Sequence, residues 1–437
     1  MVGANLERPR GKGGMMLEDS SPRIAQLKRE LEAGNPAALP PFWREIEEQQ
    51  APLIEPIPDD PTECLVTFVW RGTSQTRNVV LFARYVADDD IERHQLERLG
   101  ESDLWYKTYR LRSDLRSVYQ FSPDDSLVPF TEATDYRARV RGFQPDPLNA
   151  RRFTFPKDEE DPEDFPRVLS LLELPDAPAQ PWIMQHDDVP AGKVELQRFQ
   201  SSILENERRV WIYTPPGYSL EHEPYALLVV FDGYAYVDLV PTPTIIDNLL
   251  HSGKIPPLVV VSPDSLNQET RNRELPCYQP HVDFLTRELL PWVRERYHVT
   301  SDPARTIVGG SSYGGLAAAY AALQASEVFG NVLSQSGSYW WGKDHPEDHT
   351  PEWLVQQFDQ REHLPLRFYQ EVGLFEPYEA MVLSNRHLRG VLQDKGYDLC
   401  YREFAGGHDY ACWRGSLADG LQFLLPAGSS TSHRYHD

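Results

Sequence analysis

The chain has 437 residues, of which 40% are hydrophobic and 25% are charged, a composition typical of a soluble globular protein with two or three domains. Its 66 acidic and 43 basic side chains give a formal net charge of −23, which argues against nucleic acid and anionic membranes as partners. An anionic ligand would need a local cluster of basic residues.

The first residues are predicted to form a flexible N-terminal segment, residues 1–40, with one short helix. The helix is indicated by "SSPRIAQLKRELEAG", which places a serine before an amphipathic stretch. The opening "MVGANLERPRGKGGMM" has no apolar region of the kind found in secretory signals, and no apolar run approaches the length of a membrane span. We therefore expect a cytoplasmic protein.

Residues 41–180 are predicted to form an all-β sandwich. Short alternating runs such as "CLVTFVWRG", "RNVVLFARYV" and "LWYKTYRL" are rich in β-branched and aromatic residues and are separated by polar turns. The stretch 145–185 is dense in proline and acidic residues. It is predicted to be a connector that is mostly without regular structure.

Residues 181–426 are predicted to form an α/β-hydrolase domain, followed by a disordered tail at 427–437. Apolar strands such as "YALLVVFDGY" and "PPLVVVSPD" alternate with helical segments such as "PTIIDNLLHSG" and "HVDFLTRELLPWVRERY". That alternation indicates a doubly wound α/β fold, in which helices cover both faces of a mostly parallel sheet.

The segment "TIVGGSSYGGLAAAY" contains a G-x-S-x-G motif between a predicted strand and a predicted helix. The residues two positions from the nucleophile in such a turn must be small, and Gly310 and Gly314 meet this condition for Ser312. Centring the motif on Ser311 would place Tyr313 where a small residue is needed. Ser312 is therefore the candidate nucleophile, and the alternative is a glycine-rich turn with incidental serines.

A serine nucleophile needs a general base and a carboxylate that orients it, and in α/β-hydrolases these follow in the order serine, acid, histidine. His408 follows the last predicted strand and a glycine bend, so it is the candidate base. The preceding strand region offers Glu371, Glu376 and Glu379. We choose Glu376 because it lies past the strand end, and a solvated loop carboxylate is the alternative.

The oxyanion hole is expected to use the backbone N–H of Tyr313, the residue after the nucleophile. Its second donor is expected in the loop after "LLVVFDGY". The sequence leaves open which of Gly233 and Tyr234 donates.

Several motifs together resemble the enterochelin (enterobactin) esterase family, the cytoplasmic esterases that open the trilactone of ferric catecholate siderophores. They are "VTFVWRG", "DPLN", "RRVWIYTPPGY", "RNRELPC", "GGSSYGGLAAAYAAL", "FGNVLSQSGSYWW" and "GGHDYACWRG". Ser312 and His408 match the family's nucleophile and base, and Glu376 falls in its "EP" segment. The resemblance implies no cofactor, since iron arrives with the substrate. The turn that carries the nucleophile is called the elbow. In the family, the elbow commonly has a glutamine before the serine and a phenylalanine after it, so Ser311 and Tyr313 put the substrate preference in question.

A ferric catecholate is anionic and flat-faced, so its binding calls for local cations and aromatic surfaces. The candidate contacts are Arg271, Arg273 and Arg414 for charge, and Trp340, Trp413 and Trp105 for stacking. For each arginine the alternative is a surface salt bridge, and for each tryptophan it is a place in a domain core.

Three functions follow from the sequence. The first is hydrolysis of the ester bonds of a ferric catecholate siderophore for intracellular iron release. The second is an esterase or acyltransferase of other specificity, of the feruloyl esterase or S-formylglutathione hydrolase type. The third is a binding module without catalysis. The sequence does not choose between a monomer and a weak dimer, and it leaves open a contact between Cys277 and Cys412.

Overall fold

The computed structural model describes residues 17–83, 91–128, 135–345 and 348–427. The chain begins with helices α1 (Pro22–Glu32) and α2 (Leu39–Gln49), separated by a 3₁₀ turn at Pro36–Ala38. The hydroxyl of Ser21 caps α1 by accepting the Ile24 N–H at 3.0 Å. The serine-capped helix is thus confirmed, with a second helix after it. Residues 1–16 of the expected flexible segment and residues 428–437 of the expected tail lie outside the described residues.

Two antiparallel sheets form the next part of the chain. Their strands are β1 (Leu17–Glu18), β2 (Leu53–Ile57), β3 (Asp60–Arg71), β4 (Val79–Ala83), β5 (Glu97–Arg98), β6 (Leu104–Arg112), β7 (Arg116–Pro123), β8 (Arg152–Phe155) and β9 (Arg167–Glu173). One sheet has the order β1-β6-β3-β2 with β5 beside β6, and the other has the order β4-β7-β9-β8. Phe68 contacts Tyr109 and Tyr119 edge-on in the shared core. The predicted sandwich is confirmed, with helix α3 (Tyr136–Arg141) added.

The connector prediction is wrong for part of 145–185, because β8 and β9 form there and complete the second sheet. Phe153, Leu169 and Leu171 from these strands are buried in one apolar cluster with Ala235 and Leu239 from the second half of the chain. This burial between the two halves outweighs the local proline and acidic composition.

An eight-stranded sheet forms the second half, with the order β10-β11-β13-β12-β14-β15-β18-β19. These strands are β10 (Lys193–Ser201), β11 (Asn206–Thr214), β12 (Ala226–Val230), β13 (Leu258–Pro263), β14 (Thr306–Ser311), β15 (Asn331–Gln335), β18 (Arg367–Gly373) and β19 (Asp398–Phe404). The antiparallel strands β10 and β11 lie at one edge, and all the pairings from β13 to β19 are parallel. A short ribbon of β16 (Lys343–His345) and β17 (Asp348–Thr350) is separate from this sheet.

Helices cover both faces of this sheet. They are α4 (Gly233–Asp238), α5 (Thr242–His251), α6 (Gln268–Glu274), α7 (Gln279–Asp283), α8 (Leu290–Arg296), α9 (Tyr313–Gln324), α10 (Trp353–Gln360), α11 (Ser384–Asp394) and α12 (Tyr410–Leu424). π-Helical turns at Phe284–Leu289 and Tyr378–Leu383 precede α8 and α11, and 3₁₀ turns lie at Glu92–His94 and Pro303–Arg305. Successive residues of β12 enter two different apolar clusters, one on each face. The predicted doubly wound α/β-hydrolase fold is confirmed.

The sandwich packs on the loops that follow β18 and β19. The backbone N–H of Arg116 in β7 donates to the carbonyl of Ala405 at 3.1 Å, and the Cys412 thiol donates to the carbonyl of Arg116 at 3.3 Å. Phe375 and Ala405 are buried in the apolar core of the sandwich. The first domain therefore supports two loops at the carboxyl edge of the second domain's sheet.

The four cysteines are all within the described residues, and none is in a disulfide, so Cys277 and Cys412 are not bonded to each other. Among the described helices, none is both long and apolar enough to cross a membrane.

Candidate active site

The G-x-S-x-G turn joins β14 to α9 and places Ser312 at its tip. Ser312 has φ 59° and ψ −121°, a conformation that residues other than glycine rarely adopt and that costs about 1–3 kcal/mol. A Cβ at Gly310 would come within 2.9 Å of the Gly314 backbone, so position 310 requires glycine. A Cβ at Gly314 would meet its nearest neighbour at 3.6 Å, an ordinary contact. The close approach of strand and helix thus explains why residue 310 is glycine. The prediction that a side chain at position 314 would be crowded is wrong.

Glu376 and His408 lie at the ends of adjacent parallel strands and are hydrogen-bonded to each other. Glu376 follows β18, His408 follows β19, and Nδ1 of His408 lies 2.7 Å from Oε2 of Glu376. The Glu376 side chain is fully buried, whereas that of His408 is 29% exposed. A carboxylate only accepts, so Nδ1 carries the proton and Nε2 is left to accept one from a hydroxyl. Glu379 is exposed, and Glu371 lies inside β18, as the sequence indicated.

The second carboxylate oxygen of Glu376 is held by two further donors. Oε1 accepts the backbone N–H of Gly373 at 2.9 Å and the hydroxyl of Ser336 at 2.5 Å. The indole N–H of Trp413 donates to the Ser336 hydroxyl at 3.1 Å. The Trp413 ring lies edge-on to the His408 imidazole with the ring centroids 4.8 Å apart. Together these contacts fix the carboxylate and the imidazole in place.

Sequence reasoning missed Ser336. The motif "LSQSGSYWW" contributed only to the family resemblance, although its Ser336 directly follows a buried strand, β15. Polar residues at the carboxyl ends of parallel strands meet at one edge of a sheet, and that rule could have brought this serine to the same place as Ser312 and Glu376.

The hydroxyl of Ser312 lies 3.3 Å from the hydroxyl of Ser338. Within the described part of the chain, no hydrogen bond joins the Ser312 hydroxyl to the ring of His408. Contacts of this kind are often long in an enzyme without substrate and tighten when the substrate binds. The structure therefore brings the expected base to the edge of the sheet that carries the elbow, but not into contact with Ser312.

The loop after β12 also has a strained backbone. Asp232 has φ 56°, and α4 begins directly after it at Gly233. A Cβ at Gly233 would lie 2.4 Å from the carbonyl oxygen of Ser262, so this position requires glycine. The backbone N–H groups of the first turns of α4 and α9 have no acceptor within their helices, and they include those of Gly233, Tyr234 and Tyr313. The Tyr234 hydroxyl donates to backbone carbonyls of the connector at 3.3 and 3.2 Å.

Arg271 links the loop after β12 to the elbow through hydrogen bonds to both. Its Nε and Nη2 donate to the two carboxylate oxygens of Asp232 at 2.8 and 2.7 Å, and Nη2 also reaches the carbonyl of Ser311 at 3.4 Å. The Ser265 hydroxyl donates to the same carboxylate at 2.7 Å. The N–H groups that a bidentate contact to the substrate would use are thus bound to Asp232. The arginine that was expected to bind substrate forms a salt bridge, which was the alternative for it.

Two of the expected substrate contacts are accessible: Trp340 lies beside the elbow, and Arg273 lies on the surface. Trp340 is 39% exposed, and its ring centroid lies 6.1 Å from that of Tyr313. The Arg273 side chain is 55% exposed and donates to Glu274 at 3.1 Å.

Three other expected contacts pack against neighbouring side chains. Trp413 is only 2% exposed beneath His408, and Trp105 is only 8% exposed in the sandwich core, so neither ring offers a stacking surface. Arg414 donates to the side chain of Gln180 at 2.8 Å, and its guanidinium lies over the ring of Phe153. The stacking predictions for Trp413 and Trp105 are corrected, because packing uses both rings. Arg414 is half-buried, and its contact with substrate stays a prediction.

Comparisons with known proteins find matches to both parts of the chain. Residues 65–183 match the family model described as "Enterochelin esterase, N-terminal", and residues 201–424 match the one described as "Putative esterase". The iron(III) enterobactin esterase of Dickeya dadantii (strain 3937) is 31% identical over 92% of this chain and 95% of its own length. This chain belongs to the enterochelin esterase family.

Two more members of the enterochelin esterase family also span most of this chain. The iron(III) enterobactin esterase of Escherichia coli O6:H1 is 33% identical over 82% of this chain and 90% of its own length. The enterobactin esterase of Shigella flexneri, solved in the presence of enterobactin, is 30% identical with a TM-score of 0.70, covering 86% of this chain and 96% of that one. The family membership makes this protein a carboxylic ester hydrolase.

This enterochelin esterase family member has a second buried carboxyl, that of Glu371 in β18. Glu371 accepts hydrogen bonds from the hydroxyls of Ser416 at 2.5 Å and Tyr369 at 3.0 Å, and from the side-chain amide of Gln335 at 3.2 Å. Burial is the largest influence on this carboxyl and raises its pKa to about 7.

Glu371 should therefore make the fold pH-dependent. The unfolded chain loses this proton near pH 4.5 and the folded chain near pH 7, so stability is lost as the pH rises through that window. Glu371→Gln removes the titration. We therefore expect the free energy of unfolding of the variant, relative to that of the wild type, to be about 2–3 kcal/mol more favourable at pH 8 than at pH 5. Urea unfolding at both pH values measures this. Equal differences at the two pH values would contradict the assignment.

Proposed function

We propose that this protein hydrolyses the ester bonds of a ferric catecholate siderophore of the enterobactin type. Ser312 is the nucleophile, His408 is the general base, and Glu376 orients the imidazole. The observation that carries the proposal is the 2.7 Å contact between His408 and Glu376 at the same sheet edge as the strained Ser312. The substrate class is supported by relatives named iron(III) enterobactin esterase and by the related structure solved in the presence of enterobactin.

In the first half of the reaction, the Ser312 hydroxyl attacks a lactone carbonyl carbon while Nε2 of His408 takes its proton. Glu376 keeps the other ring nitrogen protonated and stabilises the imidazolium that forms. The ester C–O bond then breaks, and the leaving alkoxide takes the proton from His408. The macrocycle is opened, and its acyl end is bonded to Ser312.

In the second half, a water molecule gives a proton to His408 and attacks the acyl carbon. His408 returns the proton to Ser312 as the acid product leaves. We assign the oxyanion in both halves to the N–H of Tyr313 and to a second donor, Gly233 or Tyr234, at the start of α4. The product is a linear chelator, and the iron is carried throughout by the substrate. The ring opening weakens the chelate and favours release of the metal.

We assign one catechol ring of the substrate to the face of Trp340 beside Tyr313. Trp340→Ala should raise KM about 3- to 10-fold with little change in kcat, since stacking contributes about 0.5–1.5 kcal/mol. Trp340→Phe keeps an aromatic face and is expected to retain most of the affinity. Steady-state kinetics with the ferric trilactone measure both variants. A fall in kcat without a rise in KM would refute a binding role for this ring.

The substrate class is tested by comparing ferric enterobactin with simple aryl esters and by identifying the products by mass spectrometry. We expect a higher kcat/KM for the trilactone and the appearance of linear products with the wild type alone, the Ser312→Ala variant serving as the blank. A strong preference for aryl esters would instead indicate an esterase of other specificity.

A further inference from the structure

The segment Ser336–Ser338 follows β15 and crosses the carboxyl edge of the sheet next to the elbow. Ser336 has φ 48°, a left-handed conformation that turns the chain at this point. Its backbone N–H donates to the carbonyl of Glu371 at 2.8 Å, and the carbonyl of Gly337 accepts the side-chain amide of Asn385 at 2.8 Å. Ser336 and Ser338 are 0% and 2% exposed. The segment is therefore fixed from both sides.

Ser338 contacts the nucleophile at two places. Its backbone N–H donates to the carbonyl of Ser312 at 3.1 Å, and its hydroxyl lies 3.3 Å from the Ser312 hydroxyl. The N–H of Ser312 donates to the carbonyl of Gln335 at 3.0 Å. These two backbone hydrogen bonds hold the turn at Ser312 without the Ser338 side chain. Because the Ser338 hydroxyl lies beside the oxygen that reacts, a catalytic role for it can be considered.

We propose that Ser338 is a further catalytic residue, whose hydroxyl donates a hydrogen bond to Ser312 Oγ. The inference rests on the proposed role of Ser312 as nucleophile. With one lone pair accepting from Ser338, Ser312 keeps its own proton for Nε2 of His408. Negative charge that develops on Ser312 Oγ as this proton leaves is stabilised by the Ser338 donor.

The same contact serves the second half of the reaction. When the acyl-enzyme is hydrolysed, Ser312 Oγ is the leaving atom and again gains negative charge before His408 returns its proton. Ser338 keeps its own proton throughout, so the proton balance of the reaction is unchanged. Both half-reactions should depend on this hydroxyl, and substrate binding should not.

The opposite direction of the hydrogen bond makes a different prediction. If Ser312 donated to Ser338, its proton would point away from His408, and the contact would hold the resting enzyme in an unreactive state. Removing the Ser338 hydroxyl would then leave the rate unchanged or raise it. The sign of the effect of Ser338→Ala therefore separates a catalytic donor from a resting-state acceptor.

The test uses the full chain with p-nitrophenyl acetate as the probe, because hydrolysis of this ester depends on Ser312 and not on siderophore recognition. We expect Ser338→Ala to lower kcat about 10- to 100-fold with KM within a factor of about 2, below the loss seen for a main oxyanion donor. Pre-steady-state measurement should show that acylation and deacylation are both slower. Titration of reactive serine with a fluorophosphonate corrects each preparation for its active fraction.

Ser334→Ala is the matched control. Ser334 is also fully buried, lies in β15, and hydrogen-bonds the hydroxyl of Tyr339 at 2.6 Å. This variant loses a buried hydroxyl of the same kind without touching Ser312, so it should keep kcat near that of the wild type. If Ser338→Ala is recovered unfolded, Ser338→Cys takes its place in the test. A thiol is a weaker hydrogen-bond donor than a hydroxyl, so this variant should have a kcat several-fold lower than that of the wild type.

An unchanged or raised kcat in Ser338→Ala would overturn the proposal, as would a rise in KM alone or an equal loss of kcat in Ser334→Ala. Failure of the proposed function looks different. In that case Ser312→Ala would still hydrolyse the aryl ester, or the wild type would hydrolyse the aryl ester but not the ferric trilactone.

Discussion

Ser312→Ala is expected to lower kcat/KM for the ferric trilactone by about 10⁴-fold or more, because no other group can form the acyl-enzyme. The backbone strain at Ser312, with φ 59°, exposes the hydroxyl at the tip of the turn between β14 and α9. Binding should survive the change, since the lost atom is the nucleophile alone. Progress curves followed by mass spectrometry, with ligand binding measured by fluorescence quenching, check both statements.

Ser311→Ala is the matched control for this prediction. Ser311 is the adjacent serine, but it is 0% exposed within β14 and faces away from solvent. Its variant should keep kcat/KM within a factor of about 3, as is usual for a small change outside the reacting groups. If Ser311→Ala were inactive and Ser312→Ala active, the assignment of the elbow would be wrong. A fully active Ser312→Ala that still binds the ligand would favour a binding module over an enzyme.

Glu376→Gln is expected to lower kcat about 10²- to 10⁴-fold with a small effect on KM, because an amide can keep the position but not the charge that stabilises the imidazolium of His408. The same change also disturbs the contact that Glu376 accepts from Ser336. Steady-state kinetics on the ferric trilactone and on an aryl ester should show the same loss, since the defect lies in proton transfer.

Glu379→Gln is the control for the acid. Glu379 lies three residues further along the chain, in the π-helical turn Tyr378–Leu383, and is exposed, so its variant should behave as the wild type. A larger loss in Glu379→Gln than in Glu376→Gln would move the role of the acid to the exposed residue.

The fold was predictable because its signals are local. Alternating apolar and polar residues mark the sandwich strands, and the continuous apolar runs of β12 and β13 mark strands buried on both faces. The exception is the stretch 145–185, where β8 and β9 form. Its composition is that of a loop, and the burial that stabilises β8 and β9 comes from β7 and from residues in the other domain. A contact between distant parts of the chain leaves no local pattern.

In the candidate site too, some residues are marked by local patterns in the sequence and others are not. Ser312, His408 and Glu376 could be chosen as candidates from the sequence because each follows a strand in a fixed order along the chain. Ser336 could have been placed at this edge from its position directly after β15, but the sequence does not show which hydroxyl meets Glu376 and which meets Ser312, because that depends on the turn between Ser336 and Ser338.

The tryptophans and arginines near the site were the least predictable residues. Trp413 and Trp340 both lie near the carboxyl edge, yet one is buried beneath the imidazole and the other is exposed beside the elbow. Arg271 was expected to meet the ligand and instead holds Asp232. A residue type defines what a side chain is able to bind, and only the packing around it decides which partner it has.

In the proposed mechanism, Ser312 carries the acyl group during turnover. The most direct measurement is to quench the wild type with acid while it hydrolyses the ferric trilactone, digest it, and locate the modified peptide by mass spectrometry. We expect a mass increase equal to the acyl fragment on Ser312, within "TIVGGSSYGGLAAAY". An adduct on Ser311 or elsewhere, or hydrolysis at full rate in Ser312→Ala, would contradict it.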